Sequence, residues 1–477
     1  MATNRNVLTN TLAQFLGKLG TVITSLIIVK IVSSFGTEFY GNYVTTYEFL
    51  AFFGIMADAG LFAIAVRDIT RAKDKGETPE FIFGNILTMR LGLIFFVTIL
   101  AGLLAQLIPN YPDMVKLGIW ITGLSMALTI VAGTLSAILQ ARMKIYWFSG
   151  SLFLGKVVLA GLITYLSVFW RDVVTLEQLF FAFLWAGVAS NVIFMSLVYF
   201  FARKEIAIKP KFNLPYWIKT LKVSLPYGLA LILQTLYLRV DLILISIILG
   251  ASAIGVYGIG ARIMESFLIL GVFFGQAILP KLSSNENDKD HGDKTLYWGA
   301  EKLLIFSLPL IIGTFFFSTE MVQILSNDSF LSSPGVMGAD TLLKILVPTV
   351  FFAFFNQLFS FALVSKNAQN FLLYVNGGAL LLNLCLNIYF LPQYGLIAAA
   401  VSTVFCELIV FGALMLKIRT HFQWQPNLKN LSVILGLNGL IALLLAFTIV
   451  GENLLWAIPI CGIIYLAGLG SIWRRLV

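Results

Sequence analysis

The sequence predicts an all-α polytopic membrane protein of about 14 transmembrane helices, built as two six-helix parallel pseudo-repeats followed by two more helices. Three observations carry that reading. The first is a series of apolar stretches, most of them about 20 residues or longer, each able to cross a hydrocarbon core of roughly 30 Å as a helix. They run over residues 9–34, 40–66, 81–107, 116–140, 148–170, 177–202, 217–249, 253–279, 302–326, 341–364, 370–391, 394–418, 429–450 and 453–473. The second is composition: 59% of residues are hydrophobic and 12% charged, with a mean hydropathy of +0.91. A soluble globular chain does not have that balance. The third is where the basic residues fall.

Basic residues gather at alternate span ends. Arg67, Arg71, Lys73 and Lys75 follow span two, and Arg142 and Lys144 follow span four. Arg203, Lys204, Lys209 and Lys211 follow span six, and Lys281, Lys289 and Lys294 follow span eight. Lys366, Lys417, Arg419, Arg474 and Arg475 complete the series, while the other loops hold Lys116, Arg171 and Lys344. By the positive-inside rule both termini are then cytoplasmic, as an even span count requires. The net charge of +9 belongs to loops at a membrane surface and does not point to nucleic acid.

Taken in order, span one carries Lys18 and Lys30 with Gly17 and Gly20 as small packing positions, and a turn follows at Phe35–Tyr43. Span two contains Glu48 and ends near Ala57-Asp58-Ala59-Gly60. The turn then recurs: Gly36, Gly41 and Tyr43 are matched by Gly250, Gly255 and Tyr257, an offset of 214 residues. Gln140-Ala141-Arg142 after span four is echoed by Val364-Ser365-Lys366 after span ten. The chain therefore divides into an N-terminal half (1–202, spans one to six), a cytoplasmic linker (203–222), a C-terminal half (223–420, spans seven to twelve) and two extra helices (421–477). Halves with an even number of spans are parallel copies, related by an axis along the membrane normal. Pro226, Pro280, Pro309 and Pro348 are expected to kink their helices. Gly271 and Gly275 have the spacing of a close helix contact.

Ionisable residues read as lying at membrane depth include Lys18, Lys30, Glu48, Arg90, Lys156, Arg239, Asp241, Arg262, Glu265 and Glu407. Each costs roughly 2.5–3.5 kcal/mol at the bilayer centre on insertion scales, so such groups face a bundle interior or a wet cavity. At 1.5 Å per residue, Lys18, Arg90 and Lys156 lie about 12–14 Å inside their spans, near the bilayer middle, and Lys30 is close enough to an end to snorkel. Arg262 and Glu265 share a helix face and can neutralise one another. Arg239 and Asp241 do not share one, so their partners are on other helices. For each cation a structural ion pair and a substrate contact are equally good accounts; together they predict a hydrated, ion-lined cavity.

No metal site, cofactor site or catalytic signature is present. Cys385, Cys406 and Cys461 all fall inside spans and His291 and His421 in loops, which gives neither a disulfide framework nor a ligand cluster. There is no phosphate loop, paired-histidine motif or nucleophile elbow. Spans thirteen and fourteen have almost no ionisable residues and serve either as structural padding or as a groove for an acyl or prenyl chain.

The pieces FGTEFYGNY, DAGLFAIAVRDITR, SLPYGLALILQTLYLRVDLILIS, LGASAIGVYGIGARIMESF, ILPKLS and LPQYGLIAAAVSTVFCELIVF resemble, in order and spacing, the oligosaccharide flippases of the multidrug/oligosaccharidyl-lipid/polysaccharide exporter superfamily. The resemblance implies a V-shaped two-lobed bundle in a bacterial or archaeal cytoplasmic membrane. It implies translocation of a polyprenyl-diphosphate-linked oligosaccharide, an O-antigen-like repeat unit of a cell-surface polysaccharide, from the inner to the outer leaflet. A polysaccharide polymerase and glycosyltransferases are the partners it implies. Arg239 and Arg262 match the family's diphosphate-meeting cavity cations, and Lys18 and Arg90 are added from their depth alone. Glu48, Asp241 and Glu407 are candidates for ion coupling or for ion pairs. Gln234, Tyr237, Asn356 and Gln357 are candidates for sugar contacts, although core packing is the commoner use of such residues. The alternative is an ion-coupled multidrug or metabolite antiporter of the same superfamily; those exporters favour acidic cavities, whereas here bases balance the acids. A third class, a non-transporting scaffold or polymerase-complex subunit, is disfavoured by the mid-depth charges.

Overall fold

The computed structural model describes residues 2–58, 60–72, 76–283, 289–366, 368–423, 428–447 and 454–476. Seventeen α-helices occupy them: α1 Ala2–Ser33, α2 Thr37–Asp58, α3 Leu61–Thr70, α4 Pro79–Gln106, α5 Asp113–Ala141, α6 Tyr146–Phe169, α7 Leu176–Ala202, α8 Leu214–Ile248 and α9 Ala251–Ser283 come first. Then follow α10 Lys289–Phe316, α11 Ser318–Leu325, α12 Ala339–Leu346, α13 Pro348–Ser365, α14 Gln369–Tyr394, α15 Leu396–Ile418, α16 Leu428–Phe447 and α17 Leu454–Leu476. Twelve segments are long and apolar enough to cross a membrane over their described residues. Helices α8 and α17, of 35 and 23 residues, fall on the other two expected spans.

Helix starts follow local chemistry. Thr78 and Asn213 cap α4 and α8 with side-chain oxygens, and Thr175 with Gln178 forms a capping box on α7. Three expected spans are each broken into two helices, span nine dividing into α10 and α11 at Phe317. Span ten divides into α12 and α13 at Pro348, the first residue of α13, because proline removes one hydrogen bond and crowds the preceding turn. Pro309 instead lies within the continuous α10. Span two ends its first helix at Asp58 and restarts at Leu61 after Gly60, whose φ of +74° is left-handed. Glycine adopts that conformation without a Cβ clash.

The chain packs as two units, Met1–Gly255 and Val256–Val477. In the first, α5 lies against α7, α4 and α2, α1 against α6, and α8 against α2. Small residues set the closeness: a Cβ on Gly155 would stand 3.0 Å from Phe194, and one on Gly118 2.9 Å from Leu184. Lipid tails are as apolar as these side chains, so helix association rests on such fit rather than on water exclusion. Phe95, Phe96 and Leu103 of α4 point outward, 57–70% exposed, as a lipid-facing stripe does.

The 214-residue repeat has a structural counterpart. Gly36 and Gly250 both adopt positive φ, +100° and +86°. Gly41 packs so tightly on the Ala251 carbonyl, and Gly255 on that of Thr37, that a Cβ at either would overlap its neighbour. Thr37 and Ala251 are themselves 214 residues apart, so the two contacts are one contact repeated about a local pseudo-twofold.

In the second unit α15 lies against α14, α13 and α12, and α10 joins α13 to α16, which carries α17. Gly271 and Gly275 of α9 receive aromatic rings of α13: a Cβ on Gly271 would stand 2.6 Å from Phe354. Helix α10 begins at Lys289, well before the apolar run starting at 302. That extension places Glu301 in the interior, bonded to Tyr297 Oη at 2.5 Å and to Asn430 Nδ2 of α16 at 2.9 Å.

Candidate functional site

Helices α2–α3 and α4 pack side by side and run in opposite directions. Arg90 lies 11 residues into α4 and Asp58 12 residues before the end of α3, about 17–18 Å along each. They therefore meet at one depth. Arg90 Nη2 donates to Asp58 Oδ1 at 2.5 Å. The side chain of Arg90 is 5% exposed and that of Asp58 28%. Arg90 Nε and Nη1 are buried with no partner among the described residues.

This ion pair borders a cavity of about 430 Å³ within the first unit. Lys18 of α1 lines it, with Gln14 and Thr21 on the same helix and Ser136 and Gln140 of α5 and Ser149 of α6. Phe62, Phe148 and Leu152 supply apolar walls. Two cations separated by 72 residues thus share a chamber rich in hydroxyl and amide groups. The break at Gly60 belongs to the same arrangement, since interrupted helix at membrane depth is tolerated where it is covered by protein or faces a wet cavity.

The other candidate residues stand elsewhere. Arg239 of α8 is not among the residues lining this cavity; its Nη1 bonds Glu48 Oε2 of α2. Asp241, two residues on, is buried, and Tyr237 is half-buried. Arg262 pairs with Glu265 at 2.8 Å along α9, with both side chains partly exposed. In the second unit Asn356 Nδ2 of α13 donates to Glu407 Oε2 of α15 at 2.6 Å, both buried. Gln357 is half-buried and packs beside Gly275. The side chain of Gln234 lies outside the described residues. Asp58 and Glu301 were not singled out by their sequence positions. The first reads as the end of a span, and the second lies in a polar stretch that reads as a loop.

Two ties bind the loop between α4 and α5 to the end of α8. Tyr111 Oη and Ser246 Oγ lie 2.8 Å apart, and Asn110 Nδ2 donates to the Ile247 carbonyl at 2.7 Å. Burial pushes the Tyr111 phenol up to about 12, with the Ser246 bond acting the other way, so the phenol keeps its proton throughout the physiological range.

Residues 35–334, more than half of the chain, match the family profile described as "Polysaccharide biosynthesis protein". The chain belongs to that family. Two membrane proteins of Methanocaldococcus jannaschii resemble it: one is 26% identical over 275 residues, covering 56% of this chain and 51% of its own, and the other 25% identical over 308 residues, covering 60% and 69%. The matched region thus spans about half the length of the first relative. Among solved structures, the lipid II flippase MurJ in an inward closed conformation superposes with a TM-score of 0.77 at 17% identity, covering 98% of this chain and 99% of its own. An inward-facing multidrug resistance MATE transporter of the MOP superfamily gives 0.66 at 13% identity, covering 84% and 94%. The fold of this chain is accordingly that of the MurJ and MATE structures.

Proposed function

We propose that the protein is a flippase that carries a polyprenyl-diphosphate-linked oligosaccharide from the cytoplasmic to the outer leaflet of a prokaryotic cytoplasmic membrane by alternating access. The observation that carries this reading is the shared chamber of Lys18 and Arg90. Guanidinium and ammonium groups suit a diphosphate, which takes charge-assisted hydrogen bonds from both. The chamber's hydroxyl and amide groups suit the sugars, while the prenyl tail remains in lipid. Arg239 and Arg262, each beside a carboxylate, stand as further diphosphate contacts along the route, and the buried Asp241 and Glu407 as coupling groups. The sequence halves 1–202 and 223–420 are the rocking bodies of this proposal, with the termini on the cytoplasmic side. Glycosyltransferases supply the substrate on that side, and a polymerase consumes it on the other.

The test is flipping of a fluorescent lipid-linked oligosaccharide in proteoliposomes. Arg90→Ala and Lys18→Ala are each expected to lower the rate by tenfold or more, since a lost charged contact to phosphate is worth about 1.5–3 kcal/mol. Wild-type rates from both would end the assignment. Efflux of cationic dyes, with no flipping, would favour the antiporter class instead.

A further inference from the structure

We infer that Asp58 is a built-in competitor for the anion site: it holds Arg90 while the chamber is empty, is displaced when a diphosphate enters, and reclaims Arg90 to eject it. The inference rests on the flippase reading.

Three features of the pair support it. Arg90 is fixed and buried while Asp58 is the wetter partner, 5% against 28% exposed, so the carboxylate is the member with room to leave. A guanidinium offers parallel N–H pairs that match carboxylate and phosphate alike. Here Asp58 engages Nη2, and Nε and Nη1 are unmatched among the described residues, so the fork is half filled. A diphosphate can fill it, and gains over the resident acid by doing so.

The third feature is mechanical. Asp58 is the last residue of α2, and the chain restarts at Leu61 after a left-handed Gly60. The left-handed Gly60 interrupts the helix two residues past Asp58, so the carboxylate sits at a helix end and can swing without unwinding a helix interior. The cavity lies beside both groups, which leaves space for the displaced carboxylate. Without Asp58 the buried guanidinium would be an orphaned charge in the empty protein, a strongly destabilising state. The acid therefore both protects the empty site and weakens the filled one. Weak, reversible capture is what a carrier needs, because a substrate held too tightly is not released.

The experiment titrates farnesyl diphosphate into the purified full chain in lipid nanodiscs by calorimetry. Asp58→Asn is expected to bind about tenfold more tightly than wild type, one pair's worth of competition, yet to flip lipid-linked oligosaccharide more slowly. Asp58→Glu, which keeps the charge, should move affinity back toward wild type. Pyrophosphate should raise the melting temperature of Asp58→Asn more than that of wild type, a readout that also serves if the empty variant is unstable. Equal or weaker binding by Asp58→Asn, together with equal thermal shifts, would overturn the competitor role while leaving the flippase reading standing. Binding that is absent from wild type, or unchanged by Arg90→Gln, would instead remove the anion site and the inference with it.

Discussion

At the scale of single residues, the energetics turn on charges kept out of lipid. Glu48 and Arg239 come from helices separated by 191 positions and meet as an ion pair, the acid 6% and the base 30% exposed at the side chain. Removing one partner leaves the other uncompensated, whereas removing both does not. Arg239 is partly wet, which reduces the penalty. Glu48→Gln is therefore expected to destabilise by about 1–3 kcal/mol, and Glu48→Gln with Arg239→Gln by less than the sum of the two. Thermal unfolding of the four proteins in detergent measures that coupling; additive effects would show that the pair contributes nothing. How much of this was legible differs by residue. The depth of Arg90 follows from counting along an apolar run, and the pairing of Arg262 with Glu265 from helical spacing. The partners of Arg90 and Arg239 do not follow, because ion pairs between helices depend on rotations and registers that no local pattern encodes.

At the scale of elements, the decisive features are two interruptions and one close approach. The break at Pro348 is legible because proline has one physical effect wherever it stands in a helix. The break at Gly60 reads along the chain only as a span ending near there, because apolar residues resume up to 66, and a glycine in such a run is as often a packing position as a hinge. The Gly41 and Gly255 contacts were visible as a repeated motif, but their reciprocity is a property of folded backbones. They fasten α2 to the first turn of α9, while the Tyr111 to Ser246 tie holds the end of α8 that leads into it. Gly41→Val would force α2 off the Ala251 carbonyl and loosen that end of α8. With Cys385, Cys406 and Cys461 replaced by serine, a cysteine at position 246, buried in the native chain, should then react at least severalfold faster with a membrane-impermeant thiol reagent. Unchanged labelling would mean that the glycines do not hold this end closed.

At the scale of the whole molecule, the flippase reading makes transport electrogenic. A head group with two negative charges moving outward gains about 2.3 kcal/mol per charge per 100 mV of inside-negative potential. Flipping in proteoliposomes should accelerate when a potassium diffusion potential of that sign is imposed and slow when it is reversed. Equal rates under both signs would show that another charge accompanies the substrate. The membrane setting, the all-helical class, the approximate number of spans and the recurrence of one turn can be read along the chain. Each of those is written in one dimension, as run length, charge alternation and a repeated turn, and the thickness of a bilayer converts them directly into architecture. That Lys18 and Arg90 share a chamber, that Asp58 holds Arg90, and that Glu301 lies inside rather than in a loop emerges from the folded arrangement alone. These depend on which faces of antiparallel helices meet, and an apolar helix in an apolar solvent presents almost the same pattern on every face.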